Sequence, residues 1–346
     1  MNPKVESRPE GGVTIERYVS AAPHVEDRVQ TTVQLRPSTF DTYPGQTQAK
    51  ENLKIFVAAA RKRKKPLDHV ILHGPPGLGK TTLAHIVAKE LGVGFCGTTG
   101  PALDKPGDVA GILAGLEPLS VLFIDEIHRL PIQVEEMLYS AMENFSIDIL
   151  VGQGPTARSV LVPVAPFTLI GATTRLANLS RPFLSRFGIQ EKLEFYDGEA
   201  LQTILLRAAH MLDIPLGEEG AHALAVCSRG TPRVALRLLR RVWDFAEILN
   251  AGVIDGSLVA RGLARLDIDT RGLDRMDREI LRMVKERYHG GPVGIETLAV
   301  TLGEERSTLE EVYEPFLVYS GYLSRGPRGR MLTSEGANYL EKSSPV

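Results

Sequence analysis

Nine consecutive residues, Gly74 to Thr82, read GPPGLGKTT. Glycines at this spacing let backbone N–H groups turn inward around phosphate oxygens, and a helix starting there adds its positive end. In the pattern G-x-x-x-x-G-K-[ST], which also holds Gly77 and is followed by Thr82, Lys80 reaches the β- and γ-phosphates and the Thr81 hydroxyl ligates Mg²⁺. Further on, Asp125 and Glu126 close the apolar run of VLFIDEIH. An acid there holds Mg²⁺ through its water shell, and a second acid beside it polarises an attacking water. Together these residues predict an ATP hydrolase. Thr174, in GATTR, offers a hydroxyl to the γ-phosphate or the water. Read singly, Thr174, Arg186 and Arg233 are weak signals, and either arginine equally suits a surface ion pair.

The elements around these residues must present them on one edge. VILH (70–73) precedes the glycine-rich turn, and a helix carrying Leu83, Ile86, Val87 and Leu91 follows it. VLFI (121–124) and FTLI (167–170) repeat the apolar-run pattern. Buried strands alternating with helices indicate an α/β unit with a parallel sheet. Residues 146–164 place two apolar runs around Gly-Gln-Gly-Pro, the pattern of a hairpin. The helix from Ala49 to Ala60 ends in Arg61–Lys65, five cations that suit a helix C-terminus better than a nuclear address or DNA patch. Residues 197–267 read as all-helical, with stripes such as Leu201, Ile204, Leu205 and Ala208.

A third unit starts at Thr270. A helix over Ile295–Leu302, a turn at Gly303 and a Ser307–Glu310 capping box opening a second helix compose a helix-turn-helix. A hairpin with Arg325, Arg328 and Arg330 in RGPRGR follows, and no acid stands between Phe316 and Ser334. Glycines there allow close approach to a phosphate that the arginines neutralise. Arg306 is a lesser candidate for the same contact.

Composition bounds the rest. A chain of 346 residues, 43% apolar and 24% charged, suggests two to three globular domains. Two isolated cysteines, Cys96 and Cys227, argue against a disulfide framework or a zinc site and favour a reducing, cytoplasmic setting. No apolar run approaches a membrane span, and the N-terminus lacks a signal-peptide core. Residues 1–34, polar and irregular, predict a flexible tail. The net charge of −2 excludes a passive polycation. Residues 270–346 carry eleven basic and twelve acidic side chains, which confines positive potential to the terminal hairpin.

LRPSTFDTYPGQ, DHVILHGPPGLGKTTLA, GPALDKPGDVAGILAGLEP, VLFIDEIHRL, FTLIGATTR, LSRFGI, GTPRVALRLLRR and SRGPRGRMLT occur in this order. The combination, from about Leu35 to about Thr333, resembles the AAA+ ATPases and, among them, the RuvB family of bacterial Holliday-junction branch-migration motors. The resemblance implies a large AAA+ P-loop ATPase domain (35–196), a small helical ATPase domain (197–267) and a winged-helix head (270–346). Matched motif by motif, Gly77, Lys80, Thr81 and Thr82 hold the phosphates. Asp125 is the Mg²⁺-side acid and Glu126 the water-activating one. Thr174 is sensor 1, Arg186 the arginine finger and Arg233 sensor 2. Leu35 and Arg36 lie beside the base, and Tyr196 is the adenine-side aromatic. Glu143, Asn144 and Phe145 match a nucleotide-proximal segment, although Asn144 replaces the usual acid and Leu184 an additional arginine. The finger serves a neighbouring subunit, which implies a ring, a homohexamer. Arg325 and Arg330 contact the DNA backbone. The 146–164 hairpin docks RuvA through Leu161 and Val162, and RuvC joins in the resolving complex. The implied activity is DNA-dependent ATP hydrolysis that drives branch migration of four-way junctions in recombination and repair. A DExH helicase is excluded, since it needs two RecA-like lobes. An ATP-switched winged-helix DNA-binding protein of initiator or clamp-loader type is the alternative. Rapid DNA-stimulated ATP turnover separates the motor from the switch.

Overall fold

The parallel sheet forms because its central strands carry apolar residues on both faces, which helices then cover. The computed structural model describes residues 17–18, 35–151, 158–249 and 251–342. Apart from Arg17–Tyr18, the expected N-terminal tail lies outside the described residues, as does the Gly152–Pro155 turn. The sheet contains β1 (Arg17–Tyr18), β2 (Val70–His73), β3 (Phe95–Thr99), β4 (Val121–Asp125), β7 (Thr168–Thr173) and β8 (Ile189–Lys192), in spatial order β1-β3-β4-β7-β2-β8. Every pairing is parallel, with Val70 opposite both Ile170 and Ile189 and Phe123 opposite Ile170. Alternation sorts the side chains by face. Val70, Leu72, Val121 and Phe123 enter one core with Leu83, Val87 and Leu53; Ile71, Leu122 and Ile124 enter another with Leu138, Phe167 and Phe183.

Two strands escape the apolar-run reading. Phe95–Thr99 is too polar in composition, reading FCGTT, and Ile189–Lys192 is an edge strand that alternates. In the latter Ile189 and Glu191 are buried while Gln190 and Lys192 are exposed. Asn52 Nδ2 satisfies the buried Glu191 by donating to its Oε1 at 3.0 Å. The first helix, α1, runs over Thr47–Arg63, and Arg61, Lys62 and Arg63 occupy its last turn. The five-cation run is therefore a helix terminus, with Lys64 as its left-handed cap. The hairpin forms from β5 (Ser146–Val151) and β6 (Arg158–Pro163), antiparallel and outside the main sheet.

Four helices follow: α2 (Gly198–Met211), α3 (Glu218–Val226), α4 (Pro232–Ile248) and α5 (Gly256–Arg265). Three start on side-chain caps, in which Asp197, Thr231 and Asp255 accept from the backbone N–H three residues on. Their inner faces, Leu201, Leu205, Leu238, Leu239 and Val259 among them, share a core with the P-loop side of the sheet.

The head has its own core, from Leu273 to Leu340. It is built on α6 (Arg275–Glu286), α7 (Ile295–Leu302), a helical segment from Arg306 to Tyr319, the wing strands β9 (Leu323–Gly326) and β10 (Gly329–Leu332), and α8 (Ser334–Lys342). Two expectations are corrected here. Ser307 does not cap its helix: Glu305 holds the cap position, and the Ser307 hydroxyl donates to its carboxylate. The helix is also interrupted by a π-helical turn over Leu309–Tyr313. Glu310 is drawn into ion pairs with arginines, which leaves it unavailable as the capping partner. The hairpin is not terminal either, since α8 closes the described chain.

The head is tied to the helical segment by Arg229, which is buried between α3 and α4. Its guanidinium donates to the Gly272 carbonyl at 2.9 Å and lies 2.6 Å from Asp274 and 2.5 Å from Asp277. Burial pushes the Asp277 carboxyl up to about 7, against the pull of Arg229 and with a further push from Asp274. Among the described residues no helix is long and apolar enough to cross a membrane. Truncating Arg229 leaves two acids facing a buried gap. Arg229→Ala should cost about 3–5 kcal/mol of the stability that docks the head, read as a drop in urea midpoint. An unchanged midpoint would show that the pair carries no stability.

Candidate nucleotide site and DNA-facing head

The sheet order decides which residues can meet. β7 lies between β2, which feeds the phosphate loop, and β4, which ends in Asp125. All three strands are parallel, so the loop, Asp125–Glu126 and Thr173–Thr174 emerge on one edge, where open α/β sheets bind ligands. Gly77 and Gly79 adopt φ of +81° and +94°. A Cβ on Gly79 would lie 2.8 Å from the buried Tyr43 hydroxyl, so only glycine fits. The helix from Lys80 to Leu91 begins directly after Gly79 with no side-chain cap, which leaves its first N–H groups to the loop. Lys80 is 7% exposed, and its ammonium donates to the carbonyls of Gly74 at 2.8 Å and Pro75 at 2.9 Å. Burial lowers its pKa to about 8, opposed by Asp125 and Glu126 and aided by Arg233. The Thr81 hydroxyl donates to Asp125 Oδ2 at 3.3 Å. Burial and then the Asp125 charge raise the Glu126 carboxyl above its ordinary range.

A cavity of about 510 Å³ opens between the phosphate loop and α4. Leu35, Arg36, Gly77, Lys80, Thr81, Thr82, Asp125, Glu126, Tyr196 and Arg233 all line it. The two cavity walls touch directly, with the Arg233 N–H donating to the Gly77 carbonyl at 3.4 Å. Tyr196 Oη donates to the Leu78 carbonyl at 3.1 Å, bracing the loop from beneath. Ile204, Ala208 and Leu236 supply apolar wall, which suits a base, while the phosphate end is cationic. These features fit a nucleoside triphosphate.

Several lining residues were not singled out in the sequence. Tyr43 packs with Tyr196, their hydroxyls 3.0 Å apart. Arg237, Arg240 and Arg241 extend the cationic wall beyond Arg233. Their spacing of four, seven and eight residues from Arg233 is a helix-face signal that could have found them. Arg207 also lines the cavity and donates to the backbone carbonyls of Thr42 and Arg36.

The remaining expected residues lie elsewhere. Thr174 is outside the cavity lining, its hydroxyl buried without a hydrogen-bond partner. Its neighbour Thr173 makes the contacts, with Oγ1 3.0 Å from His128 Nδ1. Arg186 is also outside the lining: it meets the Tyr139 hydroxyl and Glu143 Oε2, the latter at 2.9 Å. Glu143, Asn144 and Phe145 end the helix Ile132–Asn144 near Arg186, with Phe145 packed edge-on against Phe167. None of the three lines this chain's own cavity. On the hairpin Leu161 is exposed, whereas Val162 is half-buried against the core.

On the wing, tertiary structure changes the picture of an acid-free strip. Arg330 is buried, with its guanidinium 2.7 Å from Glu314 and 3.3 Å from Glu310. Arg306 lies 2.6 Å from Glu296 and 3.2 Å from Glu310. Arg325 is 62% exposed, 3.7 Å from Glu314, and Arg328 is exposed. The residues that reach outward are Arg325 and Arg328.

Gly79→Ala adds a Cβ where both the backbone and Tyr43 refuse it. A strain of 1–2 kcal/mol should weaken ATP analogue binding roughly tenfold, measurable by calorimetry; unchanged affinity would show that the loop does not hold the nucleotide. Arg330→Ala should cost about 3 kcal/mol because buried Glu314 loses its close partner and keeps only Arg325 at 3.7 Å. Full wild-type stability in that variant, measured by urea unfolding, would contradict this.

Comparisons with known proteins agree with the geometry. Family models match at residues 35–193 (the RuvB Holliday junction DNA helicase P-loop domain), 196–269 (the RuvB AAA lid domain) and 270–341 (the RuvB C-terminal winged helix domain). The chain is 56% identical over 311 residues to the Holliday junction branch migration complex subunit RuvB of Treponema denticola, covering 90% of this chain and 91% of that one. The structure described as the Thermotoga maritima RuvB Holliday junction branch migration motor superposes with a TM-score of 0.81 at 47% identity, covering 90% of this chain and all of that one. A mutant of the same Thermotoga protein gives 0.83 at 48%, covering 90% and 99%. With its P-loop, lid and winged-helix segments all matched, the chain belongs to the RuvB family of AAA+ ATPases.

Proposed function

We propose that this chain is an ATP-driven DNA translocase that drives branch migration of Holliday junctions in recombination and repair. It acts in the cytoplasm as a homohexameric ring with RuvA, and RuvC joins the resolving complex. Its units are a tail over 1–34, an ATPase domain over 35–196, a helical lid over 197–267 and a winged-helix head over 270–346. The observation that carries the reading is the place of Arg186. Its guanidinium is held at the surface by Glu143 and Tyr139, outside the cavity of its own chain. A cation so placed serves the nucleotide of a neighbouring copy.

Within one site, Lys80 and the loop N–H groups bind and orient the phosphates. Thr81 and Asp125, whose oxygens converge, would hold Mg²⁺, Asp125 through water. Mg²⁺ supplies charge neutralisation on the phosphates. Glu126 polarises the attacking water, and Thr174, as sensor 1, follows the γ-phosphate. Arg233 follows the phosphates from the lid side. The neighbour's Glu143–Phe145 segment accompanies its Arg186. Arg325 holds the DNA backbone from the exposed wing, with Arg306 a lesser contact and Arg330 bracing the wing from within. The exposed Leu161 offers the hairpin's apolar contact to RuvA.

The deciding experiment is migration of a synthetic four-way junction, with and without RuvA, by wild type and Lys80→Ala. Wild type with RuvA should move the junction and Lys80→Ala should not. An untouched junction during ATP hydrolysis would sink the motor, and tight ATP-dependent DNA binding without turnover would replace it with a switch. Arg186→Ala should lower kcat on the order of 10³-fold or more. Wild-type turnover in that variant would remove the finger role. Arg325→Ala should reduce the salt slope of duplex binding by about one, whereas an unaltered slope would take Arg325 off the DNA.

A further inference from the structure

Between the catalytic edge and the head runs a continuous polar chain that the assigned roles leave unused. The Arg175 guanidinium lies 2.6 Å from Glu311 and 3.7 Å from Glu310, both on the π-helical turn of the head. Single π turns inside helices are rare and cluster at functional positions. Glu310 is shared, since it also pairs with Arg306 and Arg330. In the other direction the Arg175 backbone N–H donates to Thr173 Oγ1 at 2.9 Å. Thr173 is fully buried, so its own hydroxyl proton needs an acceptor, and His128 Nδ1 stands 3.0 Å away. That bond puts the His128 ring proton on Nε2, which faces Glu126 Oε2 at 3.5 Å. Burial lowers the His128 pKa, which favours the neutral ring. The chain therefore runs Glu126, His128, Thr173, Arg175, Glu311 and Glu310, and ends on Arg306 and Arg330.

We propose that Arg175 is a positioning residue through which DNA held by the head orients the water-activating Glu126. The inference rests on the motor reading above. Duplex phosphates compete with Glu310 for Arg306, and the released carboxylate closes on Arg175 from its present 3.7 Å. The shift in Arg175 is passed by its backbone N–H to Thr173, and by His128 to Glu126. Arg175 touches neither nucleotide nor DNA, so its effect is on coupling rather than on either binding event.

The test is steady-state ATP hydrolysis by the full chain, with and without mixed-sequence duplex, alongside duplex affinity. Arg175→Gln and Glu311→Gln keep side-chain bulk and break the interdomain pair, and Thr173→Val cuts the chain while leaving the pair intact. In all three, stimulation of kcat by duplex should fall at least about fivefold, the low end of typical coupling between sites. KM for ATP and duplex affinity should stay within about twofold of wild type, since neither binding event is touched. Arg175→Lys, which keeps a cation facing both carboxylates, should retain at least half of the stimulation. Full stimulation in the Gln variants, or in Thr173→Val, would overturn the proposal, as would a folded Arg175→Lys that retains none. A wild type whose turnover ignores duplex would instead bring down the motor reading, and the coupling role with it.

Discussion

A buried ammonium that meets no carboxylate in hydrogen-bond contact among the described residues organises this protein. Lys80 sits at the start of a helix, nearly inaccessible, donating only to two carbonyls of its own loop. Its charge is expensive there, and burial lowers its pKa accordingly. Phosphate oxygens are the natural relief, because the first helical N–H groups and the positive-φ glycines already converge on the same space. The surrounding architecture keeps that arrangement rigid. The sheet fixes Asp125 and Thr173 beside the loop, and Tyr43 and Tyr196 brace it from below. The lid closes the other wall through Arg233 and its row of arginines.

The same economy of charge appears at every joint between segments. Arg229 joins lid to head by facing Asp274 and Asp277, Arg175 joins sheet to head by facing Glu310 and Glu311, and the Phe195 ring packs tilted against Tyr319. A chain with a net charge of −2 can thus hold many cations without becoming a polycation, because acids from other elements meet them. Buried pairs of this kind add little net stability compared with apolar packing, yet they resist removal of one partner and fix geometry. That suits domains that must keep a register while load passes between them.

Much of the site could be read along the chain because phosphate binding is a local feature. Glycine spacing, the helix start and the lysine lie within nine residues, and no distant partner is needed to recognise them. Asp125 and Glu126 are legible for a similar reason, as acids that end an apolar run. Strands were legible where both faces are buried, as in 70–73 and 121–124. They were not legible at 95–99 and 189–192, where polar or alternating residues win a place through pairing with a neighbour. The Ser307 cap failed because its partner Glu310 gains more from three nearby arginines than from one backbone N–H.

The order of residues alone predicted a triphosphate site, the acids that border it, and a helical segment and a winged-helix head after it. It also showed a strip of wing without acids. Only tertiary structure decided which cations of that strip are free. Glu310 and Glu314 come from an earlier turn and bury Arg330, while Arg325 and Arg328 stay in water. Likewise, only the fold could place Arg175 against the head. The physical reason is reach. Phosphate cradles are written in neighbouring residues, whereas the state of a charge depends on whichever side chains long-range packing brings within a few ångströms of it.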